Sequence, residues 1–226
     1  TRAQRPGSLE VAKELASLGA AGFLKNLRRL DLADNTFGED GGAALATALA
    51  ACPNLEYLNL RDCVLSDAGV SSVCDALDCP LYHLDLSGND ITATGSKKVA
   101  KLLRSQETLV AFFCEENEMT SRGIKLIAGA LSPYLKEVRL GCNECGSIGA
   151  KALVAAVDRL AALSVIHLDG NMFPCSDVVS LKSAFGDKLP EMEDNDEDED
   201  ADAELSDVGK EEDDVDEDSD GDSDEN

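Results

Sequence analysis

The sequence is poor in the groups that catalytic sites need most. Its two histidines, His83 and His167, stand far apart with no nucleophile beside either, so no nucleophile and general-base pair can be read from it. No G-x-x-x-x-G-K-S/T run is present, and Gly95-Ser96-Lys97 has the wrong order for a loop that cradles phosphates. Neither a catalytic residue nor a cofactor is assigned on this reading. Long apolar runs are missing too: the longest uncharged stretch, Gly41 to Leu55, falls short of the roughly 18–20 residues a membrane helix requires. Basic charge is scarce. Twenty Lys and Arg against 45 Asp and Glu give a net charge of −25, the wrong sign for nucleic-acid phosphates. The expectation is a protein-binding chain, a monomer without a membrane span or a nucleic-acid partner.

What is present is a register that recurs six times, L-x-x-L-x-L-x-x-(N/C)-x-L. It opens at Leu27, Leu55, Leu81, Leu109, Leu135 and Leu163, in steps of 28, 26, 28, 26 and 28 residues. A period near 20–29 with this spacing marks a leucine-rich repeat, a strand plus a helix that stacks only on its neighbours. The second half of each unit reads G-x-x-x-(L/V/I)-x-x-x-(L/V), as in Gly41/Leu45/Leu49 and Gly123/Ile127/Leu131. Apolar residues at i and i+4 line one helix face, and the glycine ahead permits close packing or a tight turn. The fold class is therefore α/β, a horseshoe of ribonuclease-inhibitor type with parallel strands on the concave face and helices outside. Asn35, Cys63, Asn89, Asn117, Asn143 and Asn171 share one register position, where an asparagine can bond the loop backbone of adjacent units.

The charge is not evenly spread. Residues 191–226 carry 22 acidic groups and one lysine, Lys210, whereas the remainder is close to balanced at −4. Residues 1–190 read as the repeat array, and residues 191–226 as an acidic tail kept disordered by its own repulsion. Gly7, Val11 and Leu15 fit the helix signature without a strand before them, so the first repeat reads as truncated, with further repeats expected upstream. Eight cysteines do not read as a disulfide scaffold, because Cys63, Cys114 and Cys145 occupy repeat positions as small buried residues. The Cys142–Cys145 pair has C-x-x-C spacing, but no second pair or nearby histidine joins it, and no metal site is assigned. A surface built from the strands would carry Asp31, Asn59, Asp85, Phe113, Arg139 and His167 outward. Asp34, Arg61, Asp62, Glu115, Glu116 and Asp169 follow just past the strand ends.

Particular strings narrow the family. L-D-L-A-D-N-T-F-G from Leu30, C-P-N-L-E-Y-L-N-L-R-D-C-V-L-S from Cys52, S-G-N-D-I-T-A from Ser87, E-N-E-M from Glu116 and L-D-G-N-M-F from Leu168 resemble the C-terminal repeats of the Ran GTPase-activating proteins. An acidic tail directly after the last repeat also belongs to that family's plan. The resemblance implies a crescent that binds the small GTPase Ran in its GTP form and speeds hydrolysis for nucleocytoplasmic transport. It would regulate another protein's GTPase, in the cytoplasm or at the nuclear envelope, with room for a Ran-binding protein as a second partner. The family's glutamine-orienting asparagine and its arginine lie in N-terminal repeats that find no match here. What carries over is an acidic edge: Asp34, with Arg61 and Asp62 beside it, and Glu115 and Glu116 as further Ran contacts. Two alternatives remain: an acidic leucine-rich nuclear phosphoprotein that binds histones or phosphatase, whose repeats are shorter, and a general leucine-rich-repeat scaffold.

Overall fold

The computed structural model describes residues 7–190 together with Met192 and Asn195. The acidic segment read as a tail otherwise lies outside the described residues. Six three-residue strands follow one another: β1 (Arg29–Asp31), β2 (Tyr57–Asn59), β3 (His83–Asp85), β4 (Ala111–Phe113), β5 (Glu137–Arg139) and β6 (Val165–His167). They pair in parallel in chain order. Between and around them run α1 (Ser8–Ala20), α2 (Gly38–Leu49), α3 (Ser66–Ala76), α4 (Ala93–Ser105), α5 (Thr120–Ala128), α6 (Ser147–Ala156) and α7 (Cys175–Phe185). Each strand is followed by the helix of its own repeat, and the result is a horseshoe with the sheet on the inner curve.

The register aligns the middle residue of every strand: Leu30, Leu58, Leu84, Phe112, Val138 and Ile166. All but Leu30 are fully buried. A second inward column, Phe37, Leu65, Ile91, Met119, Cys145 and Phe173, is buried throughout, and Cys145 fills the apolar slot its position implies. Burial pushes the core thiols Cys63 and Cys74 up to about 12. Cys142 is exposed while Cys145 is buried, so the C-x-x-C spacing does not turn both thiols to one side.

The signature glycine sits within the first turn of α2 to α6 and serves close packing there, whereas Gly7, ahead of α1, is left-handed at φ 104°. A Cβ on Gly41 would meet the Phe37 Cβ at 2.5 Å, and one on Gly123 would meet the Ser96 Oγ at 2.6 Å. Adjacent helices are also tied through their starts. Asp67 in α3 accepts hydrogen bonds from the Thr92 N–H at 2.9 Å, the Gly95 N–H at 3.0 Å and the Thr92 hydroxyl at 2.6 Å, so one repeat caps the helix of the next. The Gly146 N–H donates likewise to the Ser121 hydroxyl at 2.8 Å. At α7, buried Asp177 stands where other repeats have glycine, and it accepts a hydrogen bond from the Ser147 hydroxyl.

One expectation is corrected at the first helix. Val11 is 50% exposed, whereas Ser8, Ala12 and Gly19 are buried. The buried face of α1 is rotated by one residue, because α1 packs sideways on α2 and, among the described residues, has no strand of its own beneath Val11.

The shared asparagine position forms the ladder its spacing implies. Asn89 donates to the Leu60 carbonyl at 2.8 Å and the Leu86 carbonyl at 3.0 Å, while its Oδ1 accepts from Cys63 and Leu65 N–H. Asn117 and Asn171 repeat the pattern, accepting from Asn89 and Ile91 and from Asn143 and Cys145. Cys63 substitutes partially: its thiol donates to the Leu32 carbonyl at 3.2 Å. At the next junction the Asn117 N–H bonds the Cys142 carbonyl instead, and the Asn143 Oδ1 is left buried without a partner.

Candidate protein-binding surface

Because side chains alternate along a strand, the residues on either side of each inward one face the concavity. The register gives two outward columns. One is Arg29, Tyr57, His83, Ala111, Glu137 and Val165; the other is Asp31, Asn59, Asp85, Phe113, Arg139 and His167. Across the columns runs a chain of stacked groups. The Arg29 guanidinium lies 3.5 Å from the Tyr57 ring centre, Tyr57 stacks on His83 at 4.3 Å, and His83 meets Phe113 edge-on at 4.8 Å. Arg139 closes it, 4.6 Å from the Phe113 ring. The small Ala111 beside His83 leaves room for Phe113 to lean across. The terminal arginines are held in turn by Asp31 at 3.2 Å and Glu137 at 2.7 Å. Burial lowers the pKa of His83 and His167, with Asp85 opposing the shift at His83, so both imidazoles favour the neutral form.

The second column matches the sequence reading except at Asp85. That carboxylate is only 8% exposed and accepts the Ser87 N–H at 2.9 Å. It lies on the concave side by register yet is nearly buried. The first column escaped the sequence reading, although the same alternation marked it.

Beyond the strands the chain turns outward in a ridge of loops. At one equivalent position in each loop the backbone is left-handed, as it is at Gly38, Val64, Ser66, Asp90, Thr120 and Glu144 nearby: Asp34, Asp62, Gly88, Glu116, Cys142 and Gly170 have φ between 52° and 71°. Three of these carry an acid where the conformation favours glycine, at a cost of about 1 kcal/mol each. The residue before each is Ala33, Arg61, Ser87, Glu115, Gly141 or Asp169.

Arg61, Asp62 and Glu116 come together. The Arg61 Nε donates to the Asp62 Oδ2 at 3.2 Å and its Nη2 to the Glu116 Oε1 at 2.7 Å, two repeats away. Gly88 lies between them, where a Cβ would meet the Asp62 Oδ1 at 2.5 Å. Partial burial works against the Arg61 charge, but Asp62 and Glu116 outweigh it and raise its pKa. Glu115 is partly buried, and desolvation raises its pKa although Arg139 and Arg61 draw it down. Asp34 is exposed one repeat before Asp62 and joins the ridge through its N–H, which donates to the Arg61 carbonyl at 2.9 Å. The ridge thus presents an excess of carboxylate along one edge, with a single pre-oriented guanidinium inside it.

Comparison with known proteins agrees with this architecture. A family model described as "Leucine Rich repeat" matches residues 23–46, 51–74 and 78–100. The chain is 29% identical over 142 residues to the Arabidopsis thaliana RAN GTPase-activating protein 2, covering 60% of this chain and 25% of that protein. It is 28% identical over 153 residues to the Sus scrofa ribonuclease inhibitor, covering 64% of this chain and 33% of the inhibitor. The chain thus spans a quarter to a third of these relatives. A crystal structure of a Bacteroides fragilis protein superposes with a TM-score of 0.53 at 15% identity, covering 84% of this chain and 62% of the other, a likeness of fold alone. By register, by sheet topology and by these matches, the chain is built of leucine-rich repeats.

Proposed function

We propose that the loop ridge binds the small GTPase Ran in its GTP form, as part of a protein that activates Ran's GTP hydrolysis in nucleocytoplasmic transport. The observation that carries this reading is the cluster of Arg61, Asp62 and Glu116, held by two charge-assisted bonds, with Asp62 and Glu116 on left-handed loop positions. Backbone strain held at charged residues such as Asp62 and Glu116 supports reading the cluster as a functional site. A basic protein surface is what such an edge attracts and orients. The similarity to a plant RAN GTPase-activating protein supports naming that partner. On this reading the chain regulates a GTPase rather than catalysing a reaction itself, and it works in the cytoplasm or at the nuclear envelope. Asp34, Arg61, Asp62, Glu115 and Glu116 supply the contacts, and a Ran-binding protein is a second candidate partner.

The test compares Ran loaded with a non-hydrolysable GTP analogue against Ran loaded with GDP, each titrated onto the chain. Binding to the GTP-analogue form, weakened by Asp62→Lys and by Glu116→Lys, is the expected result. A general scaffold of the kind to which the pig ribonuclease inhibitor belongs is the second reading, favoured by a similarity of the same size. It would bind without regard to the nucleotide, and equal affinity for both loaded forms would replace the first reading with it.

A further inference from the structure

The asparagine position recurs at residues 35, 63, 89, 117, 143 and 171, always 26 or 28 residues apart. Another asparagine, Asn195, follows 24 residues after the last. Three residues before each ladder position stands an inward side chain: Leu32, Leu60, Leu86, Cys114, Leu140 and Leu168. Three before Asn195 is Met192, which is partly buried and packs against the core. The spacing alone would be weak evidence, since the intervening residues are acidic and no leucine pattern surrounds them.

The hydrogen bonds make the case. The Asn195 Oδ1 accepts the Phe173 N–H at 3.1 Å, and its Nδ2 donates to the Phe173 carbonyl at 2.7 Å. Phe173 is the sixth member of the buried column Phe37, Leu65, Ile91, Met119, Cys145 and Phe173. At three members of that column the N–H is satisfied by the asparagine of the next repeat: Leu65 by Asn89, Ile91 by Asn117 and Cys145 by Asn171. Asn195 makes the same bond to the same position. The approach to it is ordered as well. Gly186 turns the chain with φ at 55°, and Leu189 is buried.

We infer that Leu189, Met192 and Asn195 belong to a vestigial seventh repeat that has kept the inward residue and the ladder asparagine and closes the end of the array. A stack of repeats needs such a cap, because the last unit otherwise ends with backbone donors that no neighbour satisfies. The folded unit therefore includes Met192 and Asn195, beyond Pro190. The inference does not depend on the identity of the partner.

Two truncated chains and one substitution test it. Ending the chain after Asn195 should leave the melting temperature of the full chain unchanged, while ending it after Pro190 should lower it. In the full chain, Asn195→Ala should speed hydrogen exchange at the Phe173 amide about five- to tenfold, the loss of one net hydrogen bond. The Leu65 amide, held by Asn89 at the far side of the stack, should exchange at its original rate. Equal melting of the two truncated chains, or an unchanged Phe173 amide in Asn195→Ala, would overturn the cap.

Discussion

The two faces of the same short strands are held by different means. On the inner side Leu58, Leu84, Phe112, Val138 and Ile166 are fully buried, and each is fixed by the volume it fills. On the outer side Arg29, Tyr57, His83, Phe113 and Arg139 are fixed by one another, through stacking and cation–π contact between neighbouring strands. A change on the inner side should cost the fold, while a change on the outer side should alter the surface presented to a partner. Asp85 blurs the contrast, since it is outward by register yet nearly buried.

The largest effect belongs to the inner side. Leu86→Asp would bury an unpaired carboxylate in a fully buried position and should cost more than about 4 kcal/mol, enough to unfold the array in a thermal melt. Asn89→Ala comes next, because it strips acceptors from the Cys63 and Leu65 N–H groups and a donor from the Leu60 carbonyl. A loss of about 3 kcal/mol is expected. Asp85→Ala is the sharper test of the two-face picture. It leaves the Ser87 N–H without its acceptor and should cost about 1–2 kcal/mol, more than the roughly 0.5 kcal/mol of an ordinary surface change. If Asp85→Ala melts with the unaltered chain, the carboxylate is a surface group after all.

Legibility followed the same division. The inward columns, the helix faces and the asparagine ladder could all be read from one sequence, because each depends on a residue's own position in a repeating frame. Val11 failed because the first helix lacks the neighbour that defines that frame elsewhere. The outward strip could not be read as a strip. Whether Tyr57 meets His83, or Phe113 leans over Ala111, depends on pairing across strands 26 or 28 residues apart. The ridge was half legible: Asp34, Arg61, Asp62, Glu115 and Glu116 were marked as neighbours of the strand ends. The reach of Arg61 past Gly88 to Glu116 needed the fold. So did Asn195, whose sequence surroundings are those of an acidic segment.

The ridge offers a smaller test in stability and a larger one in binding. Glu116 is held at φ 54°, so Glu116→Gly relieves a left-handed conformation worth about 1 kcal/mol. It also removes an exposed ion pair worth about as much or less. The melting temperature should stay level or rise slightly. Arg61 then loses one of the two partners that orient it, and affinity for Ran bound to a GTP analogue should fall several-fold in the same titration. A variant that keeps full affinity would separate the strained ridge from the binding surface.

The smallest effect concerns the stacked imidazole. Burial between Tyr57 and Phe113 lowers the pKa of His83 first of all; Arg29 adds to the shift, while Asp85, Glu137 and Asp31 oppose it. Its folded value therefore lies below the ordinary 6.5, which approximates the unfolded chain. Above 6.5 the imidazole is neutral in both states and costs nothing. As the pH falls through 6.5 the unfolded chain takes up the proton before the folded one, so stability is lost until the folded value is reached. His83→Phe keeps a ring in the stack and removes the titration. His167, also lowered by burial, is present in both chains and cancels in the comparison. Chemical denaturation of the two proteins from pH 7.5 down to pH 5 should show the unaltered chain weakening more than His83→Phe below about pH 6.5. A difference that stays flat across that range, or that favours the unaltered chain as the pH falls, would mean that the imidazole is not held in its neutral form by the stack.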